Sequence, residues 1–211
     1  MTPLVDWLMQ GPAWVQYRTR RDLHKQKENH PEVMTAHRAM LADVHVQEVI
    51  QQLEQWESTV ISSHKSAGHP LHQPCPYANL VMLKTLALDS KWRESKASLV
   101  AAETLLSLWT HSKTEHPYQF YMGTDFRKLK APLVWYDLLH VFDLLTQTPI
   151  LRRDKRLNEM ATFIQNKADS DGRFTPESVW QAWSDWEFGQ KKEPSRWVTL
   201  IAQRALKRMG I

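Results

Sequence analysis

A short pattern returns four times along this chain at a near-fixed interval, and a period of that length limits the fold more than any other feature. Each copy is an aromatic residue, any residue, a short polar or amide residue and an apolar residue, with leucine six positions beyond. The copies are Trp14-Val15-Gln16-Tyr17 with Leu23, Tyr77-Ala78-Asn79-Leu80 with Leu86, Trp135-Tyr136-Asp137-Leu138 with Leu144, and Trp197-Val198-Thr199-Leu200 with Leu206. Their aromatics stand 63, 58 and 62 residues apart. Pro12, Pro76, Pro132 and Pro194 precede them by one to three positions. Proline forces the residue before it out of helical geometry and fits the first helical turn, so each copy is expected to open a helix. Units recurring at such a period cover one another's apolar faces.

Apolar residues elsewhere keep helical spacing. Leu133, Leu138, Val141, Leu144 and Leu145 recur at three- and four-residue steps, as do Leu99, Ala102, Leu105, Leu106 and Trp109, and each set forms one buried stripe of a helix. A second pattern alternates with the first: Asp, two residues, apolar, one residue, Glu, with another apolar residue ten beyond the Asp. It reads Asp43, Val46, Glu48, Leu53; Asp89, Trp92, Glu94, Leu99; and Asp154, Leu157, Glu159, Ile164. Asp in that place is an N-cap, and the Glu complements the helix dipole. The expected fold is all-α, one domain over residues 1–211 made of repeated helix pairs. Further helices are expected over Val33 to Leu41 and over Pro176 to Trp186, the latter capped by Thr175, with Trp180, Trp183 and Trp186 forming a core stripe. His64 to Pro76, His111 to Leu129 and Ala168 to Phe174 read as loops, the last ended by Asp171-Gly172.

Composition excludes several classes. At 211 residues the chain supports one substantial core. Its 27 Lys and Arg are interleaved with 23 Asp and Glu, so the net charge of +4 reads as a solvated surface. Arg18, Arg20, Arg21, Lys25 and Lys27 form the most basic run, but no base-reading motif accompanies them, and a nucleic-acid partner is not expected. Cys75 is the only cysteine, which excludes an intramolecular disulfide. With no leader pattern at the start and no long apolar run, a cytoplasmic protein without a membrane span is expected.

The run Phe163-Ile164-Gln165-Asn166-Lys167, then Asp171-Gly172-Arg173-Phe174, then Pro194-Ser195-Arg196-Trp197-Val198-Thr199-Leu200 resembles the repeat of terpenoid cyclases and protein prenyltransferases. The stretches Pro74 to Leu80, Gly123 to Pro132 and Trp135 to His140 resemble uncharacterised prokaryotic members of the same superfamily. The resemblance implies an α/α toroid, in which inner helices surround an apolar cavity. A closed ring of about six such helix pairs needs more than this chain supplies, which leaves an open arc, a partial toroid, or a ring completed by a second chain through self-association.

The Asp-x-Asp-Asp acid of the cyclases is absent, and Asp169-Ser170-Asp171 belongs to the Gly172 turn. The prenyltransferase zinc set implies an Asp-x-Cys pair and a later His; Cys75 matches, but Gln73 stands in the Asp place, with Asp137 and His140 as the later candidates. His64, His69 and His72 near Cys75 read as a solvated loop. No zinc and no other cofactor is expected. The residues expected to meet a ligand are Arg127, Lys128 and Lys130 in a basic loop, followed by Trp135, Tyr136, Asp137 and His140, with Tyr77 and Asn79 from the second repeat. Basic side chains before an aromatic helix start suit an anionic head with an apolar body, as on an isoprenoid diphosphate. The alternative is a non-catalytic helical-repeat interaction module for protein or nucleic acid.

Overall fold

The computed structural model describes residues 2–54, 76–111, 125–134 and 136–211, with side chains omitted over 51–54. Trp135, Cys75, Gln73 and the histidines of the 64–72 stretch lie outside the described residues. The chain divides into two compact units, Met1–Leu71 and His72–Ile211. Helix dominates both.

In the first unit, α1 (Pro3–Met9) has proline in its first turn and ends before Gly11-Pro12. Pro12 then opens α2 (Ala13–Arg18), which runs into a π-helical turn over Thr19–Leu23. α3 (Pro31–Leu41) packs on α2. Leu8, Trp14, Val15, Val33 and Ala36 are buried. α4 (Val44–Glu54) is opened by Asp43, whose Oδ1 accepts the His45 N–H at 3.0 Å.

The second unit holds the larger core. α5 (Pro76–Leu86) packs against α7 (Lys96–Thr110), with the single turn α6 (Ser90–Arg93) between them in sequence. Every residue of α8 (Leu138–Leu145) is buried, as befits a helix apolar nearly all round. α9 (Lys155–Gln165) and α10 (Arg196–Met209) both pack on it. A two-residue parallel pairing joins β1 (Lys130–Ala131) to β2 (Ser178–Val179).

The expected caps are present. Asp89 Oδ1 accepts from the Lys91 N–H at 2.7 Å and Asp154 Oδ1 from the Arg156 N–H at 2.8 Å, so all three Asp residues of the second pattern start helices, as their short carboxylates favour. In the middle copy the helix lasts one turn, because Glu94 ends it and Ser95 caps the longer α7. The aromatic pattern also marks helix starts, in one register for three of the four copies. Trp14, Tyr77 and Trp197 are second residues of α2, α5 and α10. In the remaining copy the helix begins only at Leu138, with Asp137 as N-cap. Asp137 takes the His140 N–H and Tyr136 is buried against Phe126, which keeps both out of the helix.

One expected helix is absent. Pro176 to Trp186 forms β2 and a 3-10 turn, Gln181–Trp183. Its backbone N–H groups are claimed across the fold: Glu177 and Ser178 donate to Leu129 O at 2.8 and 3.2 Å, and Trp180 to Ala131 O at 3.3 Å. The tryptophans therefore share no helical stripe. Trp183 and Trp186 gather on Phe188, with ring centroids 5.3 to 6.0 Å apart, while Trp180 is exposed. Gly189 closes this turn, where a Cβ would collide with the Trp183 carbonyl. The turn leads Glu187 to the start of α10, where its carboxylate accepts from Ser195 Oγ at 2.8 Å and from the N–H groups of Arg196 and Trp197, an anion placed at the positive end of a helix.

Candidate functional site

The segment from Asp125 to His140 holds most of the residues that the sequence singles out. It begins as a turn, contributes β1, and ends at the N-terminus of α8. Its basic side chains are engaged by partners within the chain. Lys130 and Lys128 both pair with Asp125, at 2.6 and 3.3 Å; Lys130 first, then Lys128, holds the Asp125 carboxyl below its ordinary range against the opposing effect of burial. The Arg127 guanidinium lies 5.1 Å from the Trp109 ring centroid and 5.3 Å from that of Phe163, a cation–π arrangement between two partly covered rings. Arg127 thus turns toward aromatics from α7 and α9, whereas Lys128 and Lys130 turn toward a carboxylate.

The apolar wall expected beside them is a packed core. Tyr136 is buried, its ring 5.2 Å from Phe126, which in turn lies 6.5 Å from Trp109. Tyr77 Oη donates to the Val134 carbonyl at 3.1 Å and ties α5 to this segment. Asn79, on the same helix, is half-buried.

Asp137 is the most perturbed group of the segment. It is fully buried, and burial pushes its carboxyl up to about 7, against the lowering effect of the His140 backbone N–H and the Lys130 charge. Oδ1 accepts from the His140 N–H at 3.1 Å, and Oδ2 has no hydrogen-bond partner among the described residues. Burial thus moves the titration of this carboxyl into the neutral range. The three-residue step from Asp137 to His140 is used for capping: the Asp137 side chain accepts from the His140 backbone N–H. Among the described residues no three His, Cys, Asp or Glu side chains gather in a way that could hold a metal ion.

Sequence reasoning missed Asp125, Trp109 and Phe163, which occupy the basic side chains. The signal for Asp125 was present, since it stands three and five residues before Lys128 and Lys130. The signal for the rings was not, because α7 and α9 reach Arg127 only through the fold. The missed features also include an open groove of roughly 540 Å³ in the first unit, lined by Tyr17, Glu28, Val33, Met34, His37 and Arg38, with the Tyr17 and His37 rings 4.9 Å apart. The basic run beside it is largely used locally: Arg18 pairs with Asp22 at 2.9 Å, Arg20 with Glu32, and Arg21 donates to Gln26 O at 2.7 Å. No helix among the described residues is long and apolar enough to cross a membrane.

The chain matches no family model, no curated protein and no solved structure.

Proposed function

We propose that the chain is a non-catalytic helical interaction module, and that the outer face of α5 is its contact surface, received by a second copy of the chain. The observation that carries this reading is the composition of that face. Pro76, Leu80 and Leu83 are the buried residues of α5. Opposite them on the helix lie Ala78, Val81, Met82 and Thr85, all exposed, with Val81 and Met82 at 44% and 57%, and Tyr77 at 39% on the flank. None of the four opposite residues bears a charge, whereas a surface helix ordinarily turns charged side chains outward. A helix apolar on both sides is built to be covered, and an exposed apolar patch marks a contact surface. Since the face is uncharged, two copies can meet on it without burying an unpaired ion, and a two-fold contact needs no second complementary surface. Lys84 flanks the face, where its flexible stem lets the ammonium stay in water.

Light scattering on the purified chain tests this. The wild type is expected to dimerise in the micromolar range, and Val81→Glu with Met82→Glu to weaken the dimer about a hundredfold or more, since each glutamate would be buried without a partner. The melting temperature of the monomer should stay nearly unchanged, because both side chains are exposed. A wild type that stays monomeric at high concentration, or a double variant that still dimerises as well, contradicts the proposal.

One observation favours a second reading, that of a toroid-like or partial-toroid member of the prenyltransferase and terpenoid-cyclase superfamily with an anionic apolar ligand. The residues of the resemblance are joined into one unit: the Phe174 N–H donates to Thr199 Oγ1 at 2.9 Å, the Ser195 N–H to Phe174 O at 2.9 Å, and Gln203 Nε2 to Gly172 O at 2.9 Å. That reading requires an isoprenoid-like anion to remain bound in native mass spectrometry, and a ligand-free spectrum counts against it.

A further inference from the structure

Away from residues 125–140, arginines from three helical elements meet at the C-terminal end of α8. Arg152, on the 3-10 turn Pro149–Arg153, donates through Nε to the Thr146 carbonyl at 2.8 Å. Arg208, in the last turn of α10, reaches the same residue through Nη1, 3.3 Å from Thr146 Oγ1, and also bonds Asp143. Arg93, at the end of α6, places Nε and Nη2 on the Ala87 carbonyl at 3.1 and 2.7 Å, and its own carbonyl accepts from Thr148 Oγ1 at 3.5 Å. Anchoring cations on helix-terminal carbonyls is a capping arrangement. It accounts for only part of each guanidinium, which carries five donors in a fixed plane.

The charges do not cancel. Asp143, buried, is held bidentately by Arg204 at 2.8 and 2.7 Å and further by Arg208 at 2.9 Å, so its charge is already taken by these two. Glu94 is exposed and in no ion pair with these arginines among the described residues. Neither Arg93 nor Arg152 has a carboxylate within ion-pair distance among the described residues. The half-buried Arg152 guanidinium is held below its ordinary pKa, first by burial and then by the positive charges of Arg208 and Arg93. Arg93 and Arg152 thus bring two positive charges that no carboxylate pairs among the described residues.

We infer that Arg93, Arg152 and Arg208 form a binding site for a doubly charged tetrahedral oxyanion, a terminal phosphoryl group presented by inorganic phosphate or by a small phosphate monoester. A phosphoryl dianion matches the excess charge, and its oxygens accept the planar donors that arginine offers. The site is independent of the α5 surface, and either can fail without the other.

Titration calorimetry with inorganic phosphate and, separately, glycerol phosphate tests the inference on the full chain. Both probes are expected to bind saturably, with affinity falling at least about tenfold in Arg152→Gln and in Arg93→Gln; whichever probe binds more tightly identifies the source of the group. Glutamine can still donate to the anchoring carbonyls, and circular dichroism checks that each variant is folded; if one is not, the other decides. Absence of saturable binding of either probe, or binding equal in wild type and folded variants, overturns the site.

Discussion

Asp143→Ala is expected to destabilise the unit His72–Ile211 by about 3–5 kcal/mol, read from denaturant unfolding at neutral pH. Asp143 is buried on α8 and neutralises Arg204 and Arg208, whose side chains are themselves only 13% and 20% exposed. Removing the carboxylate leaves two partly buried guanidiniums with an uncompensated charge, and the loss follows more from that than from the bonds themselves. Burial alone would raise the Asp143 carboxyl; the two arginines outweigh it and hold the group below its ordinary value. A depressed folded-state pKa contributes stability that is present above the unfolded value and is lost as pH falls through the folded one. The variant should therefore differ most from wild type at neutral pH, and the gap should close in acid. A loss of under about 1 kcal/mol would mean that the pair behaves as an exposed one.

Asp137→Asn is expected to act in the opposite direction. The wild-type carboxyl titrates near 7 in the folded chain because it is buried, against an ordinary value of 3.8. A raised folded-state pKa contributes stability that is fully present below the unfolded pKa and is lost as pH climbs through the folded one. Wild type should thus lose stability between about pH 4 and pH 7, by an amount on the order of 4 kcal/mol. Asparagine retains an oxygen to cap α8 and cannot ionise, so the variant should be the more stable protein above pH 7 and lose its advantage toward pH 4. Thermal melts across that range give the answer. Parallel profiles for the two proteins would mean that Asp137 stays ionised and solvated.

What the sequence disclosed was mostly local. Asp43, Asp89 and Asp154 were readable as caps because a carboxylate two residues before an N–H needs only its own chain, and the Val33 to Leu41 helix appears as α3 for the same reason. The Asp169 to Gly172 turn was also readable: Gly172 adopts a φ of 75°, and Asp169 Oδ1 accepts from the N–H groups of Asp171 and Arg173. Where tertiary contacts outweighed local preference, the pattern misled. Residues 176–186 have a proline start and a three-residue tryptophan step, yet the Leu129 and Ala131 carbonyls draw their backbone into a strand pairing. In the basic loop, the residue types were visible but their partners were not. Asp125 lies close in sequence, whereas Trp109 and Phe163 approach Arg127 only through the packing of α7 and α9. Likewise Arg93, Arg152 and Arg208 are spread over more than half of the chain, so no spacing rule connects them.

The contact role of α5 is tested most directly on Met82 itself. Its side chain is 57% exposed in the single chain, close to the 48% of Met34, which lies on α3 in the first unit and serves as an internal reference. Hydroxyl-radical footprinting read by mass spectrometry gives the oxidation rate of both methionines in one sample as protein concentration is raised through the micromolar range. The expected result is that Met82 becomes protected severalfold while Met34 keeps its rate, since a thioether covered by a second copy is removed from solvent. Equal and concentration-independent oxidation of Met82 and Met34 would contradict a dimer built on α5.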